Sequence, residues 1–490
     1  MSRVSRRSFM AGMATVSAGL CFSKYSFSSP TARVRYEART PEGKKMLKIY
    51  KDAVDNMMNK IKKGDPRSWP FQWYTHAVPP DFNPQNKVNQ INSTYPNGGP
   101  YKDLANAMWN TCQAHGFPGD RPDSFLPWHR MYVFYFEQII RYAAKDDSFT
   151  LPYWNYSAGQ QSAKIPDEFR VAGPLFRPNR RRPPYPDVNA GDPIATDSQL
   201  STKPALSEPT YGFQSAAHPG FNATLNGRPH GAVHVAVGDP TNMGTVPTAA
   251  GDPVFWLHHS NIDRLWASWN ANGGKNPDKI GDTSWANKEF TFAGADGNPA
   301  KKTNREVSDM ANLGYSYDRL EPAPPNFRPA TAAVLRAARF ANFAEAASPN
   351  LALGRGPVRL TLEHSPANKN RLLVDELNAL GAERSLYLVL EDLQTNAQPG
   401  VLYDVYLDLP EGASTKEAND NYVGTINFFN EGHAHAGASS HETYSFDVTE
   451  VARKLQSKGG VPEKPTVTIA PAGEPAEAKP VIGRVSLVEQ

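Results

Sequence analysis

The histidines of this chain lie mostly in a few short blocks, and this pattern constrains the fold more than any other feature. Eight of the twelve histidines fall between His76 and His259. Most of them lie in FQWYTHAV (71–78), FLPWHRMYVFYFE (125–137), PHGAVHVAVG (229–238) and DPVFWLHHSNIDRLW (252–266). Histidines one helical turn apart share a helix face, and a neutral imidazole is a good ligand for copper or zinc. The pattern predicts a polyhistidine metal site carried on four or five helices.

Six of these histidines form two candidate sets of metal ligands. His230 and His234 are one helical turn apart, and His259 lies on the next predicted helix, so three imidazoles can reach one ion. Asp263 follows His259 by four residues, which predicts a carboxylate that orients the imidazole through a ring nitrogen. Any one of these histidines alone is better explained as an ordinary core residue. The second set of three is His76, His115 and His129.

The ligand types narrow the choice of metal. A set of imidazoles without thiolate or carboxylate suits copper or zinc. Zinc hydrolases normally add a nearby acid for base catalysis, and the sequence contains no HExxH motif. Copper is therefore favoured. Only one of the adjacent His258 and His259 is expected to bind directly, and His218 is expected to lie in a loop outside the site.

Hydrophobic periodicity divides the chain into a helical part and a β-rich part. We predict an α+β multidomain protein: a central, mainly α-helical bundle followed by a C-terminal β-sandwich or barrel. The predicted boundaries are 1–32 for a signal segment, 33–325 for the central domain, 326–349 for a linker with an alanine-rich helix over 330–347, and 350–490 for the β domain. Seven alternating runs from VRLTLE (358–363) to GRVSLVE (483–489) carry the β prediction.

The helices of the central domain follow from apolar stripes and terminal signals. A helix over 103–115 would place Cys112 and His115 on one stripe, whereas the Pro-rich residues 164–210 are predicted to be loop. The other predicted helices cover 40–63, a segment from about Pro127, a short segment that carries His230 and His234 and ends near Gly238, and a segment from Asp252-Pro253 to about Asn270.

The first 32 residues predict export. SRRSFM (5–10) is a twin-arginine sequence, and the mildly apolar stretch after it is too short to span a bilayer; a basic disordered tail is the alternative. Export would place the mature protein in the periplasm or outside the cell, without stable membrane insertion. Removal of Cys21 would leave Cys112 without a disulfide partner. A net charge of +3 gives no reason to expect a nucleic-acid partner, and no pattern indicates the oligomeric state.

Two long motifs resemble the copper signatures of the tyrosinase and polyphenol oxidase family, the type 3 dicopper proteins that include catechol oxidases and molluscan-type haemocyanins. FLPWHRMYVFYFE resembles the first signature and DPVFWLHHSNIDRLWASW the second. GYSYD (314–318) and SFDVTEVARKL (445–455) are similar to segments of plant-like members. The resemblance implies two copper ions, of which the first is bound by His76, His115 and His129 and the second by His230, His234 and His259.

The resemblance also implies a reaction, the oxidation of small o-diphenols to o-quinones by O₂, with no catalytic side chains beyond the copper ligands. Relatives that hydroxylate monophenols hold a water with a Glu and an Asn, whose positions here carry Asn226 and Gly231, so diphenol oxidation is expected to dominate. Val246 falls at the position where relatives have a residue that gates the entrance to the active site; the alternative is that Val246 only packs within its loop. Cys112 forms a thioether to His115 as in several relatives, or is a buried free thiol.

Four alternatives stay open from the sequence. They are a tyrosinase with full monophenol hydroxylase activity, a haemocyanin-like oxygen carrier, a zinc or non-haem iron enzyme, and a structural protein without copper. The C-terminal domain covers the active site, as in latent relatives, or serves as a structural partner.

Overall fold

The computed structural model describes most of the chain from residue 33 onward. The predicted signal segment, His115 and residues 330–340 of the predicted linker helix lie outside the described residues. The described ranges are 33–81, 83–113, 123–325, 327–329, 341–346, 349–364, 373–381, 384–415, 420–431, 442–459, 462 and 464–490.

Helices form the central domain, as predicted. Helix α1 begins where the Thr40 side chain accepts a hydrogen bond from the Gly43 amide at 3.0 Å, with Pro41 in the first turn. None of the described helices is both long and apolar enough to cross a bilayer. In chain order the helices are α1 (Pro41–Asn59), α2 (Trp69–His76), α3 (Pro84–Thr94), α4 (Pro100–Met108), α5 (Phe125–Ala144), α6 (Lys203–Leu206), α7 (Phe221–Leu225), α8 (Ala232–Val237), α9 (Val246–Ala249), α10 (Val254–Ala271), α11 (Thr283–Ala286) and α12 (Asn304–Val307).

Helix α4 ends earlier than the apolar stripe predicts, so the helix expected over 103–115 is wrong over the described residues 109–113. Asn110 has a left-handed backbone (φ 57°), and its side chain accepts a hydrogen bond from the Val78 amide. The amides of Asn110 and Thr111 donate to the carbonyls of Tyr74 and Thr75 at the end of α2. These tertiary hydrogen bonds replace the next helical turn and bring Cys112 against α2.

Two small pairs of strands complete the central domain. Strand β1 (Arg33–Arg35) pairs in parallel with β4 (Tyr315–Tyr317), so the first and last described parts of this domain are joined. Strands β2 (Glu289–Ala293) and β3 (Pro299–Thr303) form a hairpin that packs beside α5.

The C-terminal domain is a nearly closed antiparallel barrel, which confirms the predicted fold class. All seven predicted runs are strands, and the order in the sheet is β10-β9-β12-β7-β5-β13-β8-β11, with β6 paired to β13. The strands are β5 (Ala341–Ala346), β6 (Leu351–Ala352), β7 (Val358–His364), β8 (Leu386–Gln394), β9 (Tyr403–Leu407), β10 (Tyr422–Ile426), β11 (Tyr444–Asp447), β12 (Thr466–Pro471) and β13 (Val481–Glu489), and two helices, α13 (Leu373–Ala379) and α14 (Thr449–Ser457), accompany them.

The alanine-rich segment around residue 345 is a strand where described, and the predicted linker helix is wrong there. Ala341–Ala346 pairs with β13 on one side and β7 on the other. Both neighbours supply antiparallel hydrogen bonds, and this long-range pairing overrides the helix propensity of alanine. The barrel therefore includes residues that precede the predicted boundary at 350.

Candidate metal centre

Imidazole rings from α2, α5, α8 and α10 meet in the buried centre of the helical domain. His129 on α5 stacks on His259 of α10, with ring centroids 4.4 Å apart and an interplanar angle of 15°. The ring centroid of His76, the last residue of α2, lies 5.8 Å from that of His129. The ring centroid of His234 on α8 lies 5.6 Å from that of His259. The structure therefore brings together five of the six predicted ligands, and His115 is outside the described residues.

The first cluster consists of His76, Cys112 and His129, whose ligating atoms lie within 4.8 Å of one another. All three side chains are buried. Cys112 Sγ is 3.6 Å from His129 Nε2, a contact that the sequence did not indicate. The predicted thioether to His115 involves a residue that is not described and stays a prediction.

The second cluster consists of His230, His234, His258 and His259, again with ligating atoms within 4.8 Å. His258 thus belongs to the cluster, although only one of the adjacent pair was expected to bind. The His259 ring lies against His129 of the first cluster, whereas the His258 ring lies 5.5 Å from Tyr156, away from it. The choice of His259 as the ligand stays a proposal.

Backbone carbonyls fix the tautomer of four imidazoles. In each case Nδ1 lies 2.8–3.0 Å from a carbonyl oxygen, so Nδ1 carries the proton and Nε2 keeps its lone pair. A lone pair on Nε2 is what a metal ion needs. The pairs are His76 with Val246, His129 with Phe125, His230 with Asn226 and His234 with Met243.

Burial keeps these imidazoles neutral. It lowers the pKa of His230 to about 3, and burial together with neighbouring imidazoles lowers the pKa values of His234, His258 and His259 well below the usual range. The buried Nε2 of His234 and both ring nitrogens of His258 and His259 have no hydrogen-bond partner among the described residues. Buried nitrogens without partners are costly, so a bound cation fits them. Clusters dominated by imidazole suit copper.

The predicted role of Asp263 is wrong. Its carboxylate accepts hydrogen bonds from the side chains of Arg35, Arg130, Tyr315 and Tyr317, and none from the imidazole of the residue four positions before it. Burial alone would raise the pKa of Asp263, but the guanidinium groups of Arg130 and Arg35 outweigh it and hold the pKa below its usual range. Asp263 therefore ties α10 to α5 and to the β1–β4 pair, and it stabilises the framework behind the clusters.

Three further predicted site residues lie next to the clusters. Val246 is fully buried, and its carbonyl accepts the Nδ1 proton of His76. Asn226 begins the segment Asn226–Gly231, here called the wide turn, which joins α7 to α8 and contains His230. Gly231 ends the wide turn, and a Cβ atom there would lie 2.4 Å from the side-chain oxygen of Asn427 in the C-terminal domain.

The C-terminal domain covers the second cluster through Asn427–Phe429, here called the cover segment. The Phe429 ring stacks on His234 at 4.1 Å and 9°, and it packs into the core of the central domain. The Asn427 side chain donates to the Gly227 carbonyl at 2.9 Å. Sequence reasoning missed both residues, because INFFN has no feature that distinguishes it from other strand ends.

Comparisons with known proteins agree with this geometry. Residues 66–272 match the model of the common central domain of tyrosinase, and residues 342–490 match a domain of unknown function. The chain is 28% identical to a tyrosinase, HcTyr1, of Hahella sp. over 90% of this chain and 96% of that protein. The central domain of this chain belongs to the tyrosinase and polyphenol oxidase family. It is thus a type 3 copper oxidoreductase, whose family cofactor is a pair of copper ions.

Other members of the family extend the likeness. The chloroplastic polyphenol oxidase of Malus domestica is 27% identical, with 61% of this chain and 57% of that protein covered. The fold resembles that of latent apple tyrosinase, with a TM-score of 0.59 at 20% identity over 93% of this chain and 97% of that one. A latent aurone synthase gives a TM-score of 0.61 at 22% identity over 94% and 90%. The two-domain fold is therefore shared with these proteins.

Proposed function

We propose that this protein oxidises small o-diphenols to o-quinones with O₂, and that monophenol hydroxylation is weak. The observation that carries the proposal is the stack of His129 on His259, which places the two clusters side by side. Copper bound there would supply O₂ activation and accept the electrons of the substrate. The imidazoles hold the metal, while the surrounding aromatic side chains, such as Phe255 at 4.1 Å from His259, exclude water.

The diphenol preference is supported by the wide turn. Hydroxylation of a monophenol requires removal of a phenolic proton whose pKa is near 10. The neutral Asn226 stands four residues before His230, and Gly231, which has no side chain, follows His230 directly. A catechol loses its protons more easily once bound to a metal, and it has less need of a protein base.

Access to the second cluster requires displacement of the cover segment. Phe429 is 1% exposed and lies directly over the His234 ring, so a phenol cannot reach that face while the segment is in place. The form described here is therefore proposed to be latent. We expect limited proteolysis or mild detergent to raise turnover, and equal activity before and after cleavage would contradict latency.

The experiment compares catechol with tyrosine-like phenols on copper-loaded protein after proteolytic activation. We expect quinone formation from catechol and a slow, lagging reaction with the monophenol. Fast hydroxylation without a lag would refute the diphenol preference. Reversible O₂ binding without catechol turnover would instead identify an oxygen carrier. Zinc or iron in place of copper in the protein as isolated would identify a different enzyme.

We also propose that residues 1–32 direct export through the twin-arginine pathway, which carries folded proteins and so suits a metal site assembled before export. Support comes from the pair Arg6 and Arg7 in SRRSFM. Replacement of both by lysine is expected to keep the protein in the cytoplasm. Unchanged secretion of that variant would contradict the proposal.

A further inference from the structure

Two glutamates lie directly behind the cover segment. Glu431 follows the segment by two residues, and its amide donates to the Phe428 carbonyl at 3.0 Å, so it cannot move without moving the segment. Glu442 precedes β11. The two carboxyl groups are hydrogen bonded to each other, and the Asn430 side chain donates to Glu442 Oε1 at 3.1 Å. The pair therefore joins the residues just after the cover segment to the residues just before β11.

The pair also contacts the wide turn of the central domain. A Cβ atom on Gly227 would lie 3.2 Å from Glu442 Oε1. Glu431 is 4% exposed. Glu442 is half-buried as a residue, but its Oε2 is shielded from solvent and, like Glu431 Oε1, has no hydrogen-bond partner among the described residues. The two carboxyl groups are thus enclosed between the domains.

No cation neutralises this pair within the described residues. Arg228 is the charged group of the wide turn, but its guanidinium lies over the Phe446 ring at 4.3 Å and donates to the Ser445 carbonyl. From β11 the pair faces the Tyr444 hydroxyl, which is neutral because burial raises its pKa. Two enclosed carboxyl groups resist being ionised together when no cation lies beside them. The described surroundings therefore favour a proton on at least one of the two while the domains are closed.

We propose that Glu431 and Glu442 form a proton-dependent latch, in which the protonated pair holds the cover segment over the second cluster and loss of the proton releases it. The inference rests on the proposed function, since it concerns access to that same site. Release hydrates both carboxylates, so the open form binds fewer protons than the closed form.

The direction of the pH dependence follows from the surroundings of the two carboxyl groups in the closed and open forms. Burial raises the pKa of Glu442 to about 7, and burial with the neighbouring carboxylate raises the pKa of Glu431 well above the usual range. In the open form both groups are in water with ordinary pKa values near 4.5. Closure is therefore strongest below pH 4.5. For each proton that is lost on opening, the equilibrium constant for closure falls by up to about tenfold per pH unit as the pH rises towards 7.

The test measures opening by hydrogen exchange of the peptide 226–237 in copper-free and copper-loaded protein. Each variant is compared with wild type at the same pH, so the intrinsic pH dependence of exchange cancels. The double variant E431Q/E442Q replaces the carboxyls with neutral groups of the same shape. Its exchange rate is expected to approach that of wild type at pH 4 and to be about tenfold or more slower than wild type at pH 8. E450Q, which removes an exposed carboxylate on α14, is expected to match wild type throughout.

Three results would overturn the latch. The first is a double variant that follows wild type at every pH. The second is a pH dependence lost in a variant with His433, His435 and His441 changed to Gln, since those histidines lie between the two glutamates in sequence. The third is a further metal ion in wild type that the double variant lacks, because a cation would then replace the proton. Exchange requires no turnover, so failure of catechol oxidation would leave the latch standing.

Discussion

Phe429 is expected to be the main contact that keeps the second cluster covered, and its truncation should activate the protein. A buried phenylalanine removes about 150–250 Å² from water, which at about 25 cal/mol per Å² is worth roughly 4–6 kcal/mol. Phe→Ala in a core typically costs about 3–5 kcal/mol. Because only part of this ring faces the central domain, about 3 kcal/mol is a reasonable loss for closure. That corresponds to a rise of about a hundredfold in the open population.

The assay is catechol turnover of copper-loaded protein before and after limited proteolysis. In wild type we expect a large rise on cleavage, and in F429A a high initial rate with little further rise. The matched control is F428A, the adjacent residue, which packs in the barrel core against Tyr403 instead of the central domain. F428A is expected to lower the melting temperature of the barrel. If F429A showed the same activation ratio as wild type, Phe429 would not be the cover.

Three further substitutions test other contacts. Gly231→Ala places a methyl group 2.4 Å from the side-chain oxygen of Asn427 in the cover segment and is expected to raise turnover before proteolysis. Gly354→Ala, whose methyl group meets open space, is expected to leave turnover unchanged, and equal turnover in the two variants would contradict the contact. Asp263→Asn leaves the buried guanidinium of Arg130 without its carboxylate and that of Arg35 with only the Glu137 carboxylate. It is expected to cost about 3–5 kcal/mol of folding free energy in denaturant titration, and a loss under 1 kcal/mol would contradict the framework role. His259→Ala is expected to lower bound copper from two ions to one while His258→Ala keeps both, and metal analysis showing the reverse would exchange their roles.

The parts of the fold that the sequence predicts well depend on local spacing. Helix α10 begins after Asp252, whose side chain accepts from the Val254 amide, and the adjacent proline marks the first turn. The histidine positions follow from the same helical spacing. Each of the seven predicted strands alternates within itself, so no knowledge of its partner was needed.

The errors occur where a distant segment decides the local conformation. The residues after Met108 continue the apolar stripe of α4, but their amides bind the end of α2. Asp263 has the spacing of a histidine partner, but two arginines and two tyrosines from other elements bind it first, because charge-assisted hydrogen bonds are stronger than a carboxylate–imidazole contact. Spacing within one helix specifies which residues can meet, but not which of several partners wins.

The metal ligands can be predicted from the sequence and the cover segment cannot, and this difference has a physical basis. The described ligands lie on helices or at their ends, where the periodicity is local. Of the four imidazoles whose Nδ1 binds a carbonyl, all except His76 find that carbonyl within ten residues. The cover segment contacts the wide turn across about two hundred residues of sequence. Its close approach depends on the missing side chain of Gly231, where a Cβ atom would meet Asn427, and a pattern of side chains in the sequence does not indicate this. A centre of this kind can therefore be predicted from sequence as a set of ligands, whereas its accessibility is a property of the domain interface. If that is right, G231A and F429A should alter access to the centre without altering the number of copper ions bound, and a loss of copper in either variant would show that the cover also shapes the ligand set.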